Sequence, residues 1–261
     1  MKISTFAAVL VGTTMLAGAA HAQSVAALIG DDTIAIVDVA GKKVAKSMTV
    51  SGLSGGKLVG IDVRPADGML YALASDGTVF TIDTASGKAM MKSKLDTMVA
   101  TGGMVTVDFN PVADRLRVIG SDGTNLRANV DDGKVTKDGQ LKFVDGDMHA
   151  GKAPKIIAGA YTNSVKGAKE TVLYDIDASG AVVKQAPPND GILNSVGMHG
   201  AKGDVIAFDI VSTDGANEGW LMAGDTLYKV DLATGKGTMV TKIAGASAPV
   251  RDIAALPAMM K

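Results

Sequence analysis

The chain has 261 residues, a net charge of −1, no cysteine, 47% apolar residues and 20% charged residues. This apolar content excludes a disordered chain, and the lack of cysteine excludes a disulfide framework. Because acidic and basic residues balance, we expect no basic surface and no nucleic-acid partner.

The first 22 residues have the pattern of a secretory signal peptide. Lys2 gives a positive start, residues 3–16 are mostly apolar, and Ala20-His21-Ala22 forms an A-x-A cleavage site. A membrane anchor is the alternative, but this apolar stretch is shorter than the about 20 residues of a spanning helix. We therefore predict cleavage after Ala22 and a periplasmic or secreted location. The mature chain, residues 23–261, is expected to form one domain without a membrane span.

The acidic residues are divided unevenly, with 25 Asp and only 2 Glu. Glu favours helices, whereas Asp favours turns and caps. Asp-Gly dipeptides suit the positive φ of tight hairpin turns, and here they begin at Asp67, Asp76, Asp122, Asp132, Asp138, Asp145, Asp190 and Asp214. The sequence therefore predicts a turn-rich β protein with little helix.

A strand-like run that ends in Asp or Asn, followed by a turn of small residues and Gly, recurs along the chain. The anchor residues of its copies are Asp38, Asp83, Asn129, Asp177 and Asp231. Their spacings are 45, 46, 48 and 54 residues. Repeats of this length are typical of the blades of a β-propeller.

The clearest unit runs from Leu58 to about Leu95 and has room for four short strands. We predict them at Leu58–Arg64, Met69–Ser75, Thr78–Thr84 and Lys88–Leu95. Four short antiparallel strands per unit is the pattern of a propeller blade.

The first copy has no inner strand of its own, because Asp38 lies too close to the predicted mature N-terminus. A spare strand, Val250–Pro257, lies at the other end of the chain. We therefore predict an all-β, five-bladed propeller in which the C-terminal strand completes the N-terminal blade and hides the sheet edges. An open stack of repeats and a sixth, degenerate blade are the alternatives.

The inner strands of a propeller line its central channel, so their polar residues are the first candidates for a site. Alignment of the inner strands places four acids and one amide at similar positions: Asp62, Asp108, Asp209, Asp252 and Asn163. Arg64, Asn110 and Arg251 lie nearby in sequence. Such a ring can bind a cation, a water cluster or a small polar ligand. The four aspartates are the candidate metal ligands, and calcium is the cofactor that they suit, because hard cations prefer carboxylate and amide oxygens. Alternatively, these side chains pair with one another and with loop amides and seal the channel.

Three arginines fall within 13 residues of the third unit, at Arg115, Arg117 and Arg127. Strand alternation places Arg115 and Arg117 on one face of their strand. Guanidinium groups arranged in this way can hold an anion through paired hydrogen bonds. Pairing with acids of the same chain, Asp114 among them, is the alternative.

The chain also resembles a known family. Leu58–Pro65, Val107–Pro111, the stretch from Asp114 to Arg127, Tyr161–Asn163 and the turn Pro187–Gly191 look like a bacterial exported family catalogued as domain of unknown function 4394. The chain departs from that family's usual pattern at Met198-His199, where Pro-Leu is common. The resemblance implies a propeller-like fold and export, and it implies no chemistry.

These observations favour an exported binding or scaffold module, monomeric, whose partner is a small polar ligand or a protein. We predict no catalytic residues, because the chain has few candidate acid–base groups. A calcium-dependent hydrolase of the lactonase type is the alternative, although Glu170 and Glu218 both lie off the predicted inner strands. A redox propeller with a quinone cofactor is the third interpretation, and the single Trp speaks against it.

Overall fold

A computed structural model describes residues 24–213, 215–246 and 249–257 of the chain. The predicted signal peptide, residues 1–22, and the predicted start of the mature chain at Gln23 lie outside these residues, as does the Asp214 turn residue. No helix in the described part is long and apolar enough to cross a membrane.

The described residues form 21 β-strands and one short 3-10 turn, Pro188–Asp190. The first seven strands are β1 (Ser24–Ile29), β2 (Thr33–Asp38), β3 (Lys43–Thr49), β4 (Leu58–Val63), β5 (Leu70–Ala74), β6 (Thr78–Ile82) and β7 (Ala89–Lys94). The next seven are β8 (Val105–Asn110), β9 (Arg115–Gly120), β10 (Asn125–Ala128), β11 (Val135–Lys137), β12 (Lys142–Phe143), β13 (Ile156–Tyr161) and β14 (Leu173–Asp177). The last seven are β15 (Ala181–Gln185), β16 (Ile192–Met198), β17 (Ile206–Thr213), β18 (Ala216–Ala223), β19 (Thr226–Val230), β20 (Gly237–Lys242) and β21 (Val250–Ala255).

These strands make five small sheets, the blades of a propeller. Their strand orders are β21-β1-β2-β3, β4-β5-β6-β7, β8-β9-β10-β11, β13-β14-β15-β16 and β17-β18-β19-β20, with β12 added beyond β16 in the fourth. The prediction of an all-β, five-bladed propeller is therefore confirmed. The added β12 pairs in parallel with β16 and was not predicted.

The ring closes through β21, which pairs antiparallel with β1 from Val25↔Ala255 to Ile29↔Val250. The C-terminal strand thus supplies the inner strand of the N-terminal blade, as predicted. Because the first blade is built from both ends of the described chain, β1 is paired along both of its edges, with β21 on one side and β2 on the other.

The second blade shows why local sequence is enough to define its strands. Its observed strands start and end within two residues of the predicted ones. In the turn between β5 and β6, Gly77 has a φ of 84°, and Asp76 Oδ1 accepts a hydrogen bond from the amide of Thr78 at 3.0 Å. An Asp that accepts from the residue two places on, followed by a left-handed Gly, fixes a tight turn.

The fourth blade departs from the predicted repeat. Asp177 ends β14, the second strand of its blade, whereas Asp83 and Asp231 each follow the third strand. The segment after the third strand of the fourth blade instead contains Pro187 and the short 3-10 turn. A proline cannot donate a ladder hydrogen bond, so the recurrent turn pattern is lost there. The anchor spacing is irregular at this blade for that reason.

The apolar core lies between neighbouring blades rather than within any one of them. For example, Tyr71 and Leu73 of the second blade pack with Phe109 and Leu116 of the third. Tyr71 and Phe109 meet edge to face, with ring centroids 5.1 Å apart. This packing fixes the inner strands around the central axis, where the four predicted aspartates lie.

Candidate functional site

Four inner-strand aspartates link four of the five pairs of neighbouring blades around the channel. In each of four junctions, a carboxylate oxygen accepts a hydrogen bond from a backbone N–H of the neighbouring inner strand. The pairs are Asp252 with Ile61 at 2.9 Å, Asp62 with Phe109 at 2.6 Å, Asp108 with Tyr161 at 3.0 Å, and Asp209 with Ala255 at 2.6 Å. We call these four residues the aspartate ring. Its hydrogen bonds connect blades that share no sheet.

Three members of the aspartate ring also converge. Asp62, Asp108 and Asp209 are buried, and each offers an oxygen that lies within 4.8 Å of the oxygens of the other two. Desolvation by burial raises the pKa of all four ring carboxyls, and repulsion from other ring members adds to it at Asp62, Asp108 and Asp252. So close a set of buried carboxylates needs protons or a cation to balance its charge.

The fourth blade contributes no acid to this ring. Asn163, the predicted member, lies two residues beyond the end of β13 and has a φ of 56°. Its amide N–H donates to Asn217 Oδ1 at 2.7 Å, and its Oδ1 accepts from Asn217 Nδ2 at 2.8 Å. The structure therefore places Asn163 at the junction of the fourth and fifth blades, where it contacts β18 instead of the ring.

Arg64 lies between blades rather than in the channel. Its guanidinium donates two hydrogen bonds to Asp114, at 2.8 and 2.6 Å, and two to Asp131, at 3.2 and 2.8 Å. A further bond of 3.2 Å reaches the hydroxyl of Tyr71. The pKa of Arg64 is raised, mainly by its hydrogen bonds to Asp114 and also by those to Asp131. Arg64 thus fastens the second blade to the third.

The other two predicted channel neighbours also have local partners. Asn110 Oδ1 accepts from the amides of Val112 and Ala113, both at 2.9 Å, and so forms a turn. Arg251 donates to Asp31 Oδ1 at 2.9 Å, beside the β1–β2 turn. Neither residue is brought to the aspartate ring by these contacts.

The three predicted arginines do not share one site. Arg117 and Arg127 lie directly opposite each other on β9 and β10, and both bind Asp138, Arg117 at 2.5 Å and Arg127 at 2.7 and 2.9 Å. Within the described part of the chain, Arg115 donates only to the backbone carbonyls of Ala113 and Asp114. The anion that two of these arginines hold is thus Asp138 of the same chain.

One polar cluster was not predicted from the sequence. Ser195 Oγ donates to Asp147 Oδ1 at 2.7 Å, and His149 Nδ1 lies 2.9 Å from Ser195 Oγ. Burial raises the pKa of Asp147, but hydrogen bonds from the amides of Ser195 and His149 outweigh it and hold that pKa below its usual range. The serine proton therefore already points at a weakly basic carboxylate. This arrangement fastens the segment after β12 to β16. A separation of 48 residues hides the contact from sequence reasoning.

Two open clefts lie at junctions of blades. A cleft of about 540 Å³ between the first and second blades is lined mainly by apolar groups, including Met69, Leu70, Met90, Leu256 and Pro257. We call it the methionine groove. A second cleft of about 570 Å³ is lined by polar residues, among them Thr162, Asn163, Glu170, Thr171 and Asn217.

The fold and the aspartate ring define the chain as a five-bladed β-propeller closed by its C-terminal strand. It belongs to the family described as "Domain of unknown function (DUF4394)", whose model matches residues 33–254. No curated protein matches the chain.

Solved structures of similar fold share 18% sequence identity or less with this chain. A structural genomics protein of unknown function from Bacteroides thetaiotaomicron VPI-5482 has 18% identity and a TM-score of 0.55 over 91% of this chain. This chain spans 62% of that protein. A chain of the nidogen/laminin complex has 11% identity and a TM-score of 0.51, with 91% of this chain and 99% of that chain covered. A protein of unknown function from Bacteroides caccae has 18% identity and a TM-score of 0.43, covering 85% and 73% of the two chains. At these identities the likeness concerns the fold alone.

The aspartate ring predicts that stability falls as pH rises. An acid whose pKa is raised on folding keeps its proton in the native state after the unfolded chain has released it, so the native state is favoured at low pH. Stability should therefore decrease as the pH rises above about 3.9, the unfolded value for Asp. His199, whose pKa burial lowers, opposes this trend below about pH 6.5, the unfolded value of His. Urea unfolding midpoints across this pH range measure the effect.

Asp108→Asn is the suitable variant for this test, because Asp108 accepts an amide hydrogen bond through only one oxygen. We expect it to be more stable than the natural protein at about pH 8 and to show a flatter pH profile. Asp225→Asn, at an exposed ion pair with Lys242, controls for net charge. Equal pH profiles for Asp108→Asn and the natural protein would contradict the assignment.

Proposed function

We propose that this chain is an exported, non-enzymatic binding module that uses the outside of its propeller to hold a partner protein. The burial of the aspartate ring carries this proposal. Its four acids are 9% exposed or less, and each accepts an amide hydrogen bond from another blade. A substrate larger than an ion has no access to carboxyls held in this way. The aspartate ring therefore stabilises the fold, and the partner protein is recognised by the outer surface of the propeller.

The methionine groove is the surface that we assign to the partner. Met90 is 63% exposed and Met69 44% exposed, and Asp83 and Lys88 lie at the edge of the same groove. Methionine side chains are flexible and polarisable, so they adapt to an apolar segment of another protein. The nidogen/laminin complex, which contains a chain of similar fold, supports a protein as the partner.

Replacement of both groove methionines by lysine tests this proposal. Purified Met69→Lys/Met90→Lys is used as bait beside the natural protein, and the captured proteins are identified and then tested one by one with purified components. Met239→Lys, exposed on the outer strand of the fifth blade, is the matched control. We expect a partner that binds the natural protein and Met239→Lys with equal affinity and loses about tenfold or more with the double variant. A partner whose affinity for all three proteins is equal would overturn the groove assignment.

Residues 258–261 follow Pro257 directly and lie outside the described residues. A chain that ends at Pro257 shows whether they compete for the groove. Under the proposal this shortened chain binds the partner at least as tightly as the full chain. Loss of binding would move the site to the C-terminal residues.

A calcium-dependent hydrolase of the lactonase type is the second candidate function. The convergence of Asp62, Asp108 and Asp209 within 4.8 Å favours it, because carboxylate oxygens are the ligands that calcium prefers. Calcium titration followed by calorimetry, with Asp108→Asn as the variant and Asp225→Asn as the control, tests the ion alone. Lactone and aryl ester hydrolysis in calcium buffer tests the reaction. Turnover that Asp108→Asn abolishes and Asp225→Asn leaves intact would overturn the non-enzymatic proposal.

A further inference from the structure

The junction between the third and fourth blades contains buried oxygen atoms without hydrogen-bond partners among the described residues. Both carboxylate oxygens of Asp175 belong to this set, together with Gln185 Oε1 and Thr106 Oγ. Asp175 is 0% exposed. Buried polar atoms are almost always paired, so these four orphaned oxygens need an explanation.

Strand register places three of these atoms on one face of the fourth blade. Leu173 pairs with Gln185 and Asp175 pairs with Val183, so Asp175 and Gln185 are diagonal neighbours on the same face of β14 and β15. Leu173 and Val183 on that face pack in one cluster with Ile119 of the third blade. This face of the fourth blade therefore packs against the third blade.

Thr106 faces the same junction from the third blade. It pairs directly with Ile119, and residues opposite each other in a ladder point to the same face. Asp108, two residues further along β8, accepts the amide hydrogen bond of Tyr161 on β13. The stretch of β13 before Tyr161 therefore runs beside Thr106.

Gly159 opens the space into which Asp175 points. It lies opposite Asp175 in the ladder of β13 and β14, and a Cβ atom there would collide with Asp175 Oδ1. Because this position has no side chain, the carboxyl group extends over the backbone of β13. This opening directs Asp175 toward the β8 side of the junction, where Thr106 lies.

The arginine at this junction, Arg117, forms its hydrogen bonds with other partners. Arg117 lies at the junction, but its hydrogen bonds go to Tyr161, Asn125, Asp138 and Asn189. Burial raises the pKa of Asp175 to about 8, against the opposing field of Arg117. Gln185 Nε2 donates to the carbonyl of Pro188 at 2.6 Å, which turns Oε1 of the same amide away from that contact. The orphaned atoms are thus one carboxylate, one amide oxygen and one hydroxyl.

We propose that this junction binds a monovalent hard cation of the sodium type, held by Asp175, Gln185 Oε1 and Thr106 Oγ. Oxygen-only donors are the ligands of hard cations. One carboxylate balances one positive charge, whereas a divalent ion would leave an excess beside Arg117. The cation gives all four orphaned oxygens a partner and joins the third and fourth blades, between which the described residues form no salt bridge.

Thermal unfolding in sodium chloride and in N-methylglucamine chloride of equal concentration, above pH 8, tests the site. A cation that binds only the native state raises the unfolding midpoint in a saturable way, by about 3–6 °C at ten times its Kd for a chain of this size. We expect this rise for the natural protein and for Asp225→Asn, which removes an equal charge at the surface. Asp175→Asn, of nearly the same size, should abolish it.

If Asp175→Asn does not fold, the variant Thr106→Val tests the cation site instead. Under the proposal, this isosteric change lowers the apparent affinity for sodium about tenfold or more. If the hydroxyl is not a ligand of the cation, its removal leaves the response to sodium as it is in the natural protein and stabilises the protein, since an unpaired buried hydroxyl is costly. Equal midpoints in the two salts for the natural protein would overturn the proposal and leave Asp175 to be satisfied by a proton and water. The partner-binding experiments do not depend on this result.

Discussion

A chain that ends at Pro249 is expected to lose cooperative folding, because its first blade then has no inner strand. Strand β21 pairs along β1 from Val25 to Ile29, and it buries Val250 and Ile253 to 2% exposure or less. Exposure of two such aliphatic side chains costs about 3–6 kcal/mol. This alone is comparable with the about 5–15 kcal/mol that stabilises a typical domain.

The truncation also breaks the aspartate ring at two junctions. Asp252 accepts the amide hydrogen bond of Ile61 in the second blade, and the amide of Ala255 donates to Asp209 in the fifth. Loss of β21 therefore leaves Asp209 buried without this partner and opens an edge along β1. Both effects add to the lost apolar burial, so we expect an aggregating or molten chain rather than a weakened propeller.

Circular dichroism and urea unfolding of the truncated chain measure this effect, and the chain that ends at Pro257 is its control. Only the shorter chain should lose its cooperative transition. Addition of a synthetic peptide of residues 249–257 should restore part of it, because the strand then pairs in trans. A cooperative transition near that of the full chain, for the chain that ends at Pro249, would show that closure by β21 is dispensable.

The closure was predictable from the sequence because it follows from counting strands. The Asp-Gly turns, such as Asp76-Gly77, fix where strands end through contacts of two or three residues, and such contacts are visible in sequence. The spare strand at Val250–Pro257 and the missing one before Asp38 then match. The same count was less accurate for the fourth blade. There Pro187 interrupts the recurrent turn after the third strand, and the matching Asp177 ends the second strand instead.

The partners of the charged side chains were not predictable in the same way. Arg64 binds Asp114 and Asp131, which are 50 and 67 residues away. Alternation along a strand gives the face on which a residue lies and leaves open which loop of the next blade reaches it. The same holds for Asp175, whose burial depends on the missing side chain of Gly159 on another strand. Four ring acids were found because they repeat at equivalent positions, whereas Arg64 and Asn163 have partners that do not repeat.

Replacement of Arg117 by Met should destabilise the protein by about 3–5 kcal/mol, the cost of breaking a buried ion pair from one side. The side chain of Arg117 is 1% exposed and that of Asp138 4% exposed. Arg117 also donates to Tyr161 and Asn189 of the fourth blade. Its loss leaves Asp138 with Arg127 as its remaining salt-bridge partner among the described residues and removes bonds that join two blades.

Urea unfolding at neutral pH measures this cost, and Arg115→Met is the matched control. Arg115 donates only to backbone carbonyls of its own turn, so its replacement should change stability by about 0.5 kcal/mol or less. A double-mutant cycle separates the ion pair from the packing: Asp138→Asn should cost much less in the Arg117→Met background than in the natural protein. Additive costs would contradict the pairing, and they would leave Arg117 free to hold an anion from outside the chain. Because Arg117 also opposes the burial that raises the pKa of Asp175, its loss should raise that pKa further and steepen the decline of stability above neutral pH.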